Sequence, residues 1–377
     1  MVYIACFIAS VFFAWLAKKA GNKTAFVLCS VFSLIIPIML AALRDYSVGV
    51  DTINYLEMDL YWHGASGGSL TGYLKYYFQN GGREPIFALF MGIIARVTGE
   101  YRVFLFLAQT VIMVGVYVGA YRMKDHSDPV LTLLLFYLLY YNYTMNAIRQ
   151  YMSLAILFAA IHDIEERKIR RYIVFVVIAS MIHNVAVLGI PLLILYYLIY
   201  GRSKARGEEA VLQQEKVSLV KRVVIGGLLV GVFLCFSDIA RALIKIGLLN
   251  SKYLKYLNSK SNASFLASRM FLLVEIAGLL LIIRQFRSNN IHPDFYIFCT
   301  MAFLLLFQLS TVMRTGARIA RFFSLINIST IGMMVRGQRG EKKILVGFAV
   351  IAVALLYWLY TYGYTNYSHT MPYALGL

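Results

Sequence analysis

Residues 172–200 read YIVFVVIASMIHNVAVLGIPLLILYYLIY, an apolar stretch interrupted at its middle by His183 and Asn184. Short basic segments flank it on both sides, at 167–171 and 202–222. Because Lys and Arg in short loops favour the cytoplasmic side of a membrane, both flanks belong on that side. The stretch therefore predicts two membrane passes rather than one long tilted helix, with His183 and Asn184 at a turn on the outer side.

The composition of the whole chain supports a membrane protein. Of 377 residues, 60% are hydrophobic and 14% are charged, and the mean hydropathy is +0.70, which excludes a water-soluble enzyme. The apolar residues come in runs of about 14 to 22, which predicts an all-α, polytopic integral membrane protein with one transmembrane domain over residues 1–377. The four cysteines have no paired spacing, so neither a disulfide framework nor a zinc site is predicted.

The net charge of +18 lies largely in loops. If the apolar segment 85–97 does not cross the membrane, more than half of the 36 Lys and Arg fall in short loops on one side. Lys and Arg in short loops favour the cytoplasmic side, so this arrangement is the expected one. We therefore predict a re-entrant or interfacial segment there and about 12 spanning helices with both termini outside, or about 13 with the N-terminus inside. The outer loops are 44–84 and 249–269, and 201–222 is cytoplasmic. No nucleic-acid partner is predicted.

Two clusters that pair arginine with a carboxylate lie in the first outer loop. The segment LRDYSVGVDTINY carries Arg44 and Asp51, and the segment GGREP carries Arg83 and Glu84. The first cluster follows the end of a predicted helix, and Glu84 directly precedes the start of another. These residues are candidates for one polar site at the outer surface, and the alternative is a set of interfacial ion pairs without function.

Further arginines are predicted at the same surface. Arg149, with Gln150 beside it, lies at the outer start of an apolar helix, where a guanidinium is costly unless it snorkels or binds an anion. In MRTGARIARFF, the i, i+4, i+7 spacing of Arg314, Arg318 and Arg321 predicts three like charges on one helical face. Arginines bind phosphate through a planar fork of donors, so the residues predict a pyrophosphate site.

A general base is also available at the outer surface. His183 has a reference pKa near neutral pH and is a candidate base for a sugar hydroxyl, although a histidine at a helix end is often a cap. Asp51 and Glu84 are the competing candidates. No D-x-D motif stands in a suitable loop, so we predict no metal and no cofactor. Tyr55, in an aromatic outer segment, is a candidate for contact with a glycan, and the alternative is an aromatic belt.

Several of these segments resemble one known family. The resemblance is carried by ALRDYSVGVDTINY, REPIFALF, NAIRQYMSLAILFAA, ASMIHNVAVLGIP and RIARFFSLINI, in this order. Together they are similar to the EpsG-like branch of the Wzy-type polysaccharide polymerases. The chain departs from the family pattern after Gly49, where Val50 and Asp51 replace the usual Thr-Asp pair.

The resemblance implies a GT-C-like, metal-independent, inverting glycosyltransferase in the bacterial inner membrane, with its active site on the periplasmic or outer side. Such enzymes move a growing O-antigen, capsule or exopolysaccharide chain from undecaprenyl pyrophosphate onto a lipid-linked repeat unit. The implied partners are this lipid-linked oligosaccharide, membrane lipid and a chain-length regulator. The alternatives are a flippase or transporter for lipid-linked oligosaccharides and a glycosyltransferase of the O-antigen-ligase type.

In the resulting hypothesis, Arg149 and the arginines 314, 318 and 321 hold the donor pyrophosphate. His183, Asp51 or Glu84 deprotonates the acceptor hydroxyl, and Arg44 and Arg83 orient these groups or the second carrier. A flippase would instead place charged residues around a central cavity at mid-membrane.

Overall fold

The computed structural model describes residues 1–55, 68–201, 217–246, 293–312 and 316–376. Within these ranges the secondary structure is helical, and the one β-type pairing is an isolated bridge between Arg44 and Leu375. The predicted all-α fold is therefore confirmed.

The described ranges contain the following helices, given in chain order. They are α1 (Val2–Lys19), α2 (Lys23–Ala42), α3 (Val50–Tyr55), α4 (Leu70–Gln79), α5 (Pro85–Val97), α6 (Tyr101–Arg122), α7 (Pro129–Phe136), α8 (Ile148–Glu165), α9 (Ile169–Ile182), α10 (Gly189–Tyr200), α11 (Leu219–Leu234), α12 (Phe236–Lys245), α13 (Asp294–Val312), α14 (Gly316–Ala320), α15 (Ser324–Arg336) and α16 (Gly340–Trp358). A π-helical segment, Tyr137–Tyr141, extends α7, and another, Leu359–Tyr364, extends α16.

The described chain divides into two compact units. Unit 1 comprises Met1–Ile164, Lys168–Gly189 and Ile344–Leu377, and unit 2 comprises Glu165–Arg167 and Ile190–Lys343. The single transmembrane domain over residues 1–377 stays a prediction.

Five helical stretches in the described ranges are long and apolar enough to cross a membrane. They are α1, α2, α6, Arg318–Arg336 and Gly340–Tyr364, and α11 with the first part of α12 makes a sixth if that pair, bent by 66°, is one span. The protein is thus a multi-pass membrane protein. The total of about 12 or 13 spans and the placement of each loop relative to the membrane stay predictions.

The chain reverses direction at His183, as the flanking charges predict. Helix α9 ends at Ile182, His183 is extended, with φ −152° and ψ 124°, and a 3-10 turn follows. The Tyr172 hydroxyl, near the start of α9, donates to the Gly189 carbonyl at 3.0 Å. In one straight helix, residues 17 positions apart would lie about 25 Å from each other. The turn at His183 and Asn184 is therefore confirmed.

Helix α5 begins at Pro85, which occupies a first-turn position where its missing N–H costs nothing. Its 13 residues span about 20 Å, less than the roughly 30 Å hydrocarbon core of a bilayer. This length agrees with the predicted re-entrant or interfacial segment, which stays a prediction.

The ion pairs of the described part of unit 1 lie in two groups, at opposite ends of its helices. At one end, Arg122 donates to the fully buried carboxylate of Asp163 at 2.5 Å, and Lys18 pairs with Asp128. These residues belong to segments that the charge pattern predicts to be cytoplasmic, or border them. The other end collects residues of the predicted outer loops.

Helices α6 and α8 approach each other closely at Gly115. A Cβ placed on Gly115 would lie 2.7 Å from the Ala155 carbonyl carbon and oxygen, which are backbone atoms that cannot rotate away. Glycine therefore permits the contact that sets the position of α8.

We expect Gly115→Ala to destabilise the protein by about 1–3 kcal/mol, because the added methyl group forces α6 away from α8. Thermal unfolding in detergent measures the change. Gly227→Ala is the matched control, since a Cβ there meets nothing within 4 Å. Equal unfolding midpoints for both variants would contradict the close packing.

Candidate functional site

A turn that contains Gly81 and Gly82 precedes Glu84 and sets its position. Gly81 has φ +80°, a left-handed conformation that glycine adopts without strain, and a Cβ on Gly82 would lie 2.2 Å from the Tyr77 ring. Glu84 then occupies the N-cap position of α5, but its side chain makes no capping hydrogen bond to that helix. The carboxylate is directed toward α8 and the end of α9 instead.

The Glu84 carboxylate is shared by three donors. Arg149 Nη1 donates to Oε2 at 2.8 Å, and His183 Nδ1 lies 2.6 Å from Oε1. The backbone N–H of Asn184 also donates to Oε1, at 3.3 Å. The glutamate side chain is 8% exposed, whereas those of Arg149 and His183 are 35% and 30% exposed. The acid is thus buried beneath a partly open histidine and arginine.

The direction of the Glu84 pKa shift defines the charge of this group. Burial raises the pKa of Glu84, but the hydrogen bond from His183 and the charge of Arg149 outweigh burial, so the pKa falls below its usual value. The carboxylate is therefore ionised at neutral pH and accepts hydrogen bonds only.

An ionised acceptor fixes the tautomer of the histidine. Because Glu84 Oε1 cannot donate, His183 Nδ1 carries a proton, and in the neutral form of the ring Nε2 holds the lone pair. Nε2 makes no hydrogen bond to any residue in the described part of the chain. A histidine oriented at one nitrogen by a carboxylate and open at the other is the arrangement of a general base.

Arg149 is also held from a second direction. Its guanidinium carbon lies 5.1 Å from the centre of the Phe87 ring, within the range of a cation–π interaction. Phe87 follows Glu84 by three positions and lies on the first turn of α5. One turn of sequence therefore supplies both the anion and the aromatic face that orient Arg149.

The first cluster of the outer loop lies against the segment that precedes α8. Arg44 is 1% exposed and donates to the Met145 carbonyl at 3.0 Å. The Asp51 N–H donates to Asn146 Oδ1 at 3.4 Å, and its side chain is half-buried. Gly49, with φ +96°, permits this approach, because a Cβ there would lie 2.8 Å from Asn146 Oδ1.

The other predicted site residues have mixed positions. Gln150 is buried, and its carbonyl accepts a hydrogen bond from the Ser153 hydroxyl at 2.7 Å. Arg83 is exposed beside Glu84. Tyr55 ends α3, and its side chain lies outside the described residues. The roles predicted for these three residues stay predictions.

The late arginine cluster belongs to unit 2. Arg314 lies outside the described residues. Arg318 is exposed in α14, and Arg321 is half-buried in the 3-10 turn that follows α14. Because the helix tightens at Arg321, the i, i+4, i+7 spacing does not define one α-helical face through Arg321. Pyrophosphate binding by these residues stays a prediction.

The groups around Glu84 can bind an anion. Each oxygen of Glu84 accepts a hydrogen bond, one from Arg149 and one from His183, and the guanidinium attracts negative charge. A partly exposed arginine beside an open imidazole nitrogen suits a phosphate group and a hydroxyl.

Sequence reasoning missed two contacts and one segment. The Phe87 ring and the Asn184 N–H were not predicted, although the three-residue spacing of Glu84 and Phe87 was an available signal. Residues 366–376, which follow the last helix and contact the Arg44 and Asn146 segments, were also not predicted as part of this end of unit 1.

Comparison with known proteins identifies the family. The model of the EpsG family matches residues 24–375, so the chain belongs to the EpsG family. Neither a curated protein nor a solved structure matches the chain. Membership of this family indicates an exopolysaccharide polymerase-type function.

The lowered pKa of Glu84 predicts an acid-dependent loss of stability. A carboxylate with a depressed pKa stabilises the fold above its unfolded-state pKa, near 4.5, and this contribution disappears as pH falls through the lower folded-state value. We therefore expect the difference in unfolding midpoint between wild type and Glu84→Gln to be constant from pH 5.5 to about 5 and to shrink below about 4.5. Thermal unfolding in detergent at each pH measures it, and a difference that grows on acidification would contradict the sign of the shift.

Proposed function

We propose that this EpsG-family protein is a polysaccharide polymerase acting at the outer face of the bacterial cytoplasmic membrane. It transfers a growing glycan from undecaprenyl pyrophosphate onto a sugar hydroxyl of a lipid-linked repeat unit. The observation that carries the proposal is the sharing of the Glu84 carboxylate by His183 and Arg149. This arrangement combines an oriented base with an anion-binding group, and group transfer from a diphosphate needs both.

In the proposed reaction, His183 Nε2 takes the proton of the acceptor hydroxyl as its oxygen attacks the anomeric carbon of the donor glycan. The bond between that carbon and the diphosphate oxygen breaks, and undecaprenyl pyrophosphate leaves with the electron pair. Attack opposite the leaving group inverts the anomeric centre. Glu84 stabilises the imidazolium, as the acid does in Ser-His-Asp triads.

Of the three candidate bases, the geometry favours His183. Glu84 has a lowered pKa, and its two oxygens already accept hydrogen bonds from Arg149, His183 and the Asn184 N–H, so it is a weaker base than a free carboxylate. Asp51 lies in the neighbouring segment that contacts Asn146. We therefore propose Glu84 as the residue that orients His183.

Arg149 is proposed to bind the donor diphosphate and to stabilise the charge that develops on the leaving oxygen. It reaches Glu84 through Nη1 and lies over Phe87, so its planar group is held in one orientation. Lysine has the same charge but neither the planar fork nor the fixed direction of its donors. Diphosphate binding by Arg318 and Arg321, which belong to unit 2, stays a prediction from the sequence.

We expect Arg149→Lys to lose most elongation activity, by about 100-fold, because one transition-state donor is lost. The measurement uses purified full-length protein in nanodiscs with lipid-linked repeat units and EDTA, and a gel resolves the products. Arg96→Lys on α5 is the matched control, since this exposed arginine donates to the Gly68 carbonyl, apart from the site.

Two outcomes of this assay would contradict the proposal. A product ladder of near wild-type length from Arg149→Lys would remove Arg149 from the site. An absence of elongation by wild-type protein, with intact substrate recovered from the opposite leaflet of vesicles, would favour the flippase.

We expect His183→Asn to lower kcat by about 10²–10⁴-fold with little change in KM, because asparagine can still donate to Glu84 but has no basic nitrogen. His369→Asn is the control, since the His369 side chain is exposed and its φ of +49° suits asparagine. Initial rates of elongation at neutral pH measure both variants. Full activity of His183→Asn would exclude His183 as the base.

A further inference from the structure

Arg44 is a buried cation without a carboxylate partner among the described residues. It follows the end of α2, and its side chain is 1% exposed. Nη1 donates to the Ala41 carbonyl at 3.0 Å, while Nη2 donates to the Met145 carbonyl at 3.0 Å and to Thr52 Oγ1 at 3.4 Å. Burial lowers the pKa of Arg44 to about 10, so it is still charged at neutral pH. The guanidinium is enclosed by protein in this structure, and the substrate contact that the sequence predicted for Arg44 stays a prediction.

Besides the Ala41 carbonyl in α2, the acceptors of Arg44 lie on two further segments. Thr52 belongs to α3, and Met145 lies four positions before Arg149. The Asn146 side chain accepts from the Asp51 N–H and donates to the Ser368 carbonyl at 2.8 Å. Arg44 and Asn146 therefore join the outer-loop segment to the chain that enters α8.

A third segment, residues 368–376, covers this junction. Three backbone hydrogen bonds hold it: Gly49 N donates to His369 O at 2.8 Å, Asp45 N to Ala374 O at 2.9 Å, and Gly376 N to Leu43 O at 2.9 Å. Two side chains also contact Thr370: Asn142 Nδ2 donates to Thr370 Oγ1 at 2.9 Å, and Tyr3 Oη donates to Thr370 O at 2.9 Å. Each contact joins the C-terminal segment to the neighbourhood of Arg44 or Asn146 or to the start of α1. The segment thus shields the Arg44 guanidinium from water.

We propose that Arg44 is a positioning residue, which fixes the segment 145–149 through the Met145 carbonyl and thereby holds Arg149 against Glu84. The functional part of this inference rests on the proposed polymerase activity. The positioning itself is a property of the fold and has its own measurement. Lysine at position 44 would retain the charge, but a single ammonium group cannot reproduce the fork that spans Ala41, Thr52 and Met145.

Hydrogen exchange of the full-length protein in detergent tests the positioning without any activity. In Arg44→Lys, we expect the backbone amides of residues 145–151 to exchange about 10-fold faster, whereas those of α9 change less than twofold. Arg96→Lys is the control and leaves both regions unchanged. Unchanged exchange at 145–151 in Arg44→Lys overturns the inference, whether or not the protein elongates glycans.

A double-mutant cycle tests the link to Arg149. Arg44→Lys alone lowers kcat for elongation about 10-fold, because a small displacement of a catalytic group is costly. In the Arg149→Lys background, the same change lowers kcat less than twofold, since the group it positions is already altered. If Arg44→Lys lowers kcat by the same factor in the wild-type and Arg149→Lys backgrounds, the positioning role is overturned, because a general structural defect acts equally in both.

If Arg44→Lys does not fold, Thr52→Val replaces it. Valine matches threonine in shape and removes the Nη2 acceptor while the Arg44 guanidinium keeps both backbone carbonyls. We again expect faster exchange at residues 145–151 and a lower kcat, each by about threefold instead of about 10-fold, because only one of the three acceptors is removed. A folded Thr52→Val protein without either change overturns the inference. If wild-type protein fails to elongate, the proposed function fails and the exchange result alone decides the positioning.

Discussion

The hydrogen bonds of the buried Glu84 carboxylate hold together the end of unit 1 that carries Arg149 and His183. The carboxylate joins the start of α5 to the start of α8 and to the turn after α9, through Arg149 and His183. An ion in this environment loses much of its hydration, so it is tolerated only when several donors replace the water. Two side chains and the Asn184 N–H provide those donors. The same contacts that compensate for burial fix the directions of the His183 imidazole and of the Arg149 guanidinium.

Helix α8 is anchored by an acid–arginine pair near each end. Arg149 contacts Glu84 near its start, and near its end Asp163, which is fully buried, accepts from Arg122 at 2.5 Å and lies 3.4 Å from Arg171. The two anchors are 14 residues apart, or about 21 Å along the axis, and the α8 backbone meets α6 at Gly115 between them. A helix held at both ends and in the middle is rigid, which suits the proposed role of Arg149.

The sequence predicted the composition of the site better than its geometry. The basic flanks of 172–200 require a reversal of the chain, and this reversal brings His183 to the same end as the first outer loop. The pairing of Glu84 with Arg149 and His183 crosses 65 and 99 positions, respectively. No local spacing specifies such contacts, because they depend on how α5, α8 and α9 pack.

Arg44 shows why exposure is harder to predict than proximity. Its place just beyond a predicted helix end indicated a residue of a polar site at the outer surface or of an interfacial ion pair. The segment 368–376 buries it, and the polar residues of that segment gave no sign of partners more than 200 positions earlier. Similarly, spacing alone did not reveal the change from α-helix to 3-10 turn at Arg321.

The charges of the site change during the proposed reaction in the direction that favours it. The proposed reaction starts from a negative Glu84, a positive Arg149 and a neutral His183, so the three groups together carry no net charge at that stage. When His183 accepts the proton of the hydroxyl, the group becomes positive while negative charge appears on the departing diphosphate. The added attraction exists in the transition state and not in the ground state, and only such interactions accelerate the chemical step. A site with a second free carboxylate in place of Arg149 would repel the diphosphate at that stage, which is why the pairing of one buried acid with one arginine and one histidine suits glycosyl transfer from a diphosphate carrier.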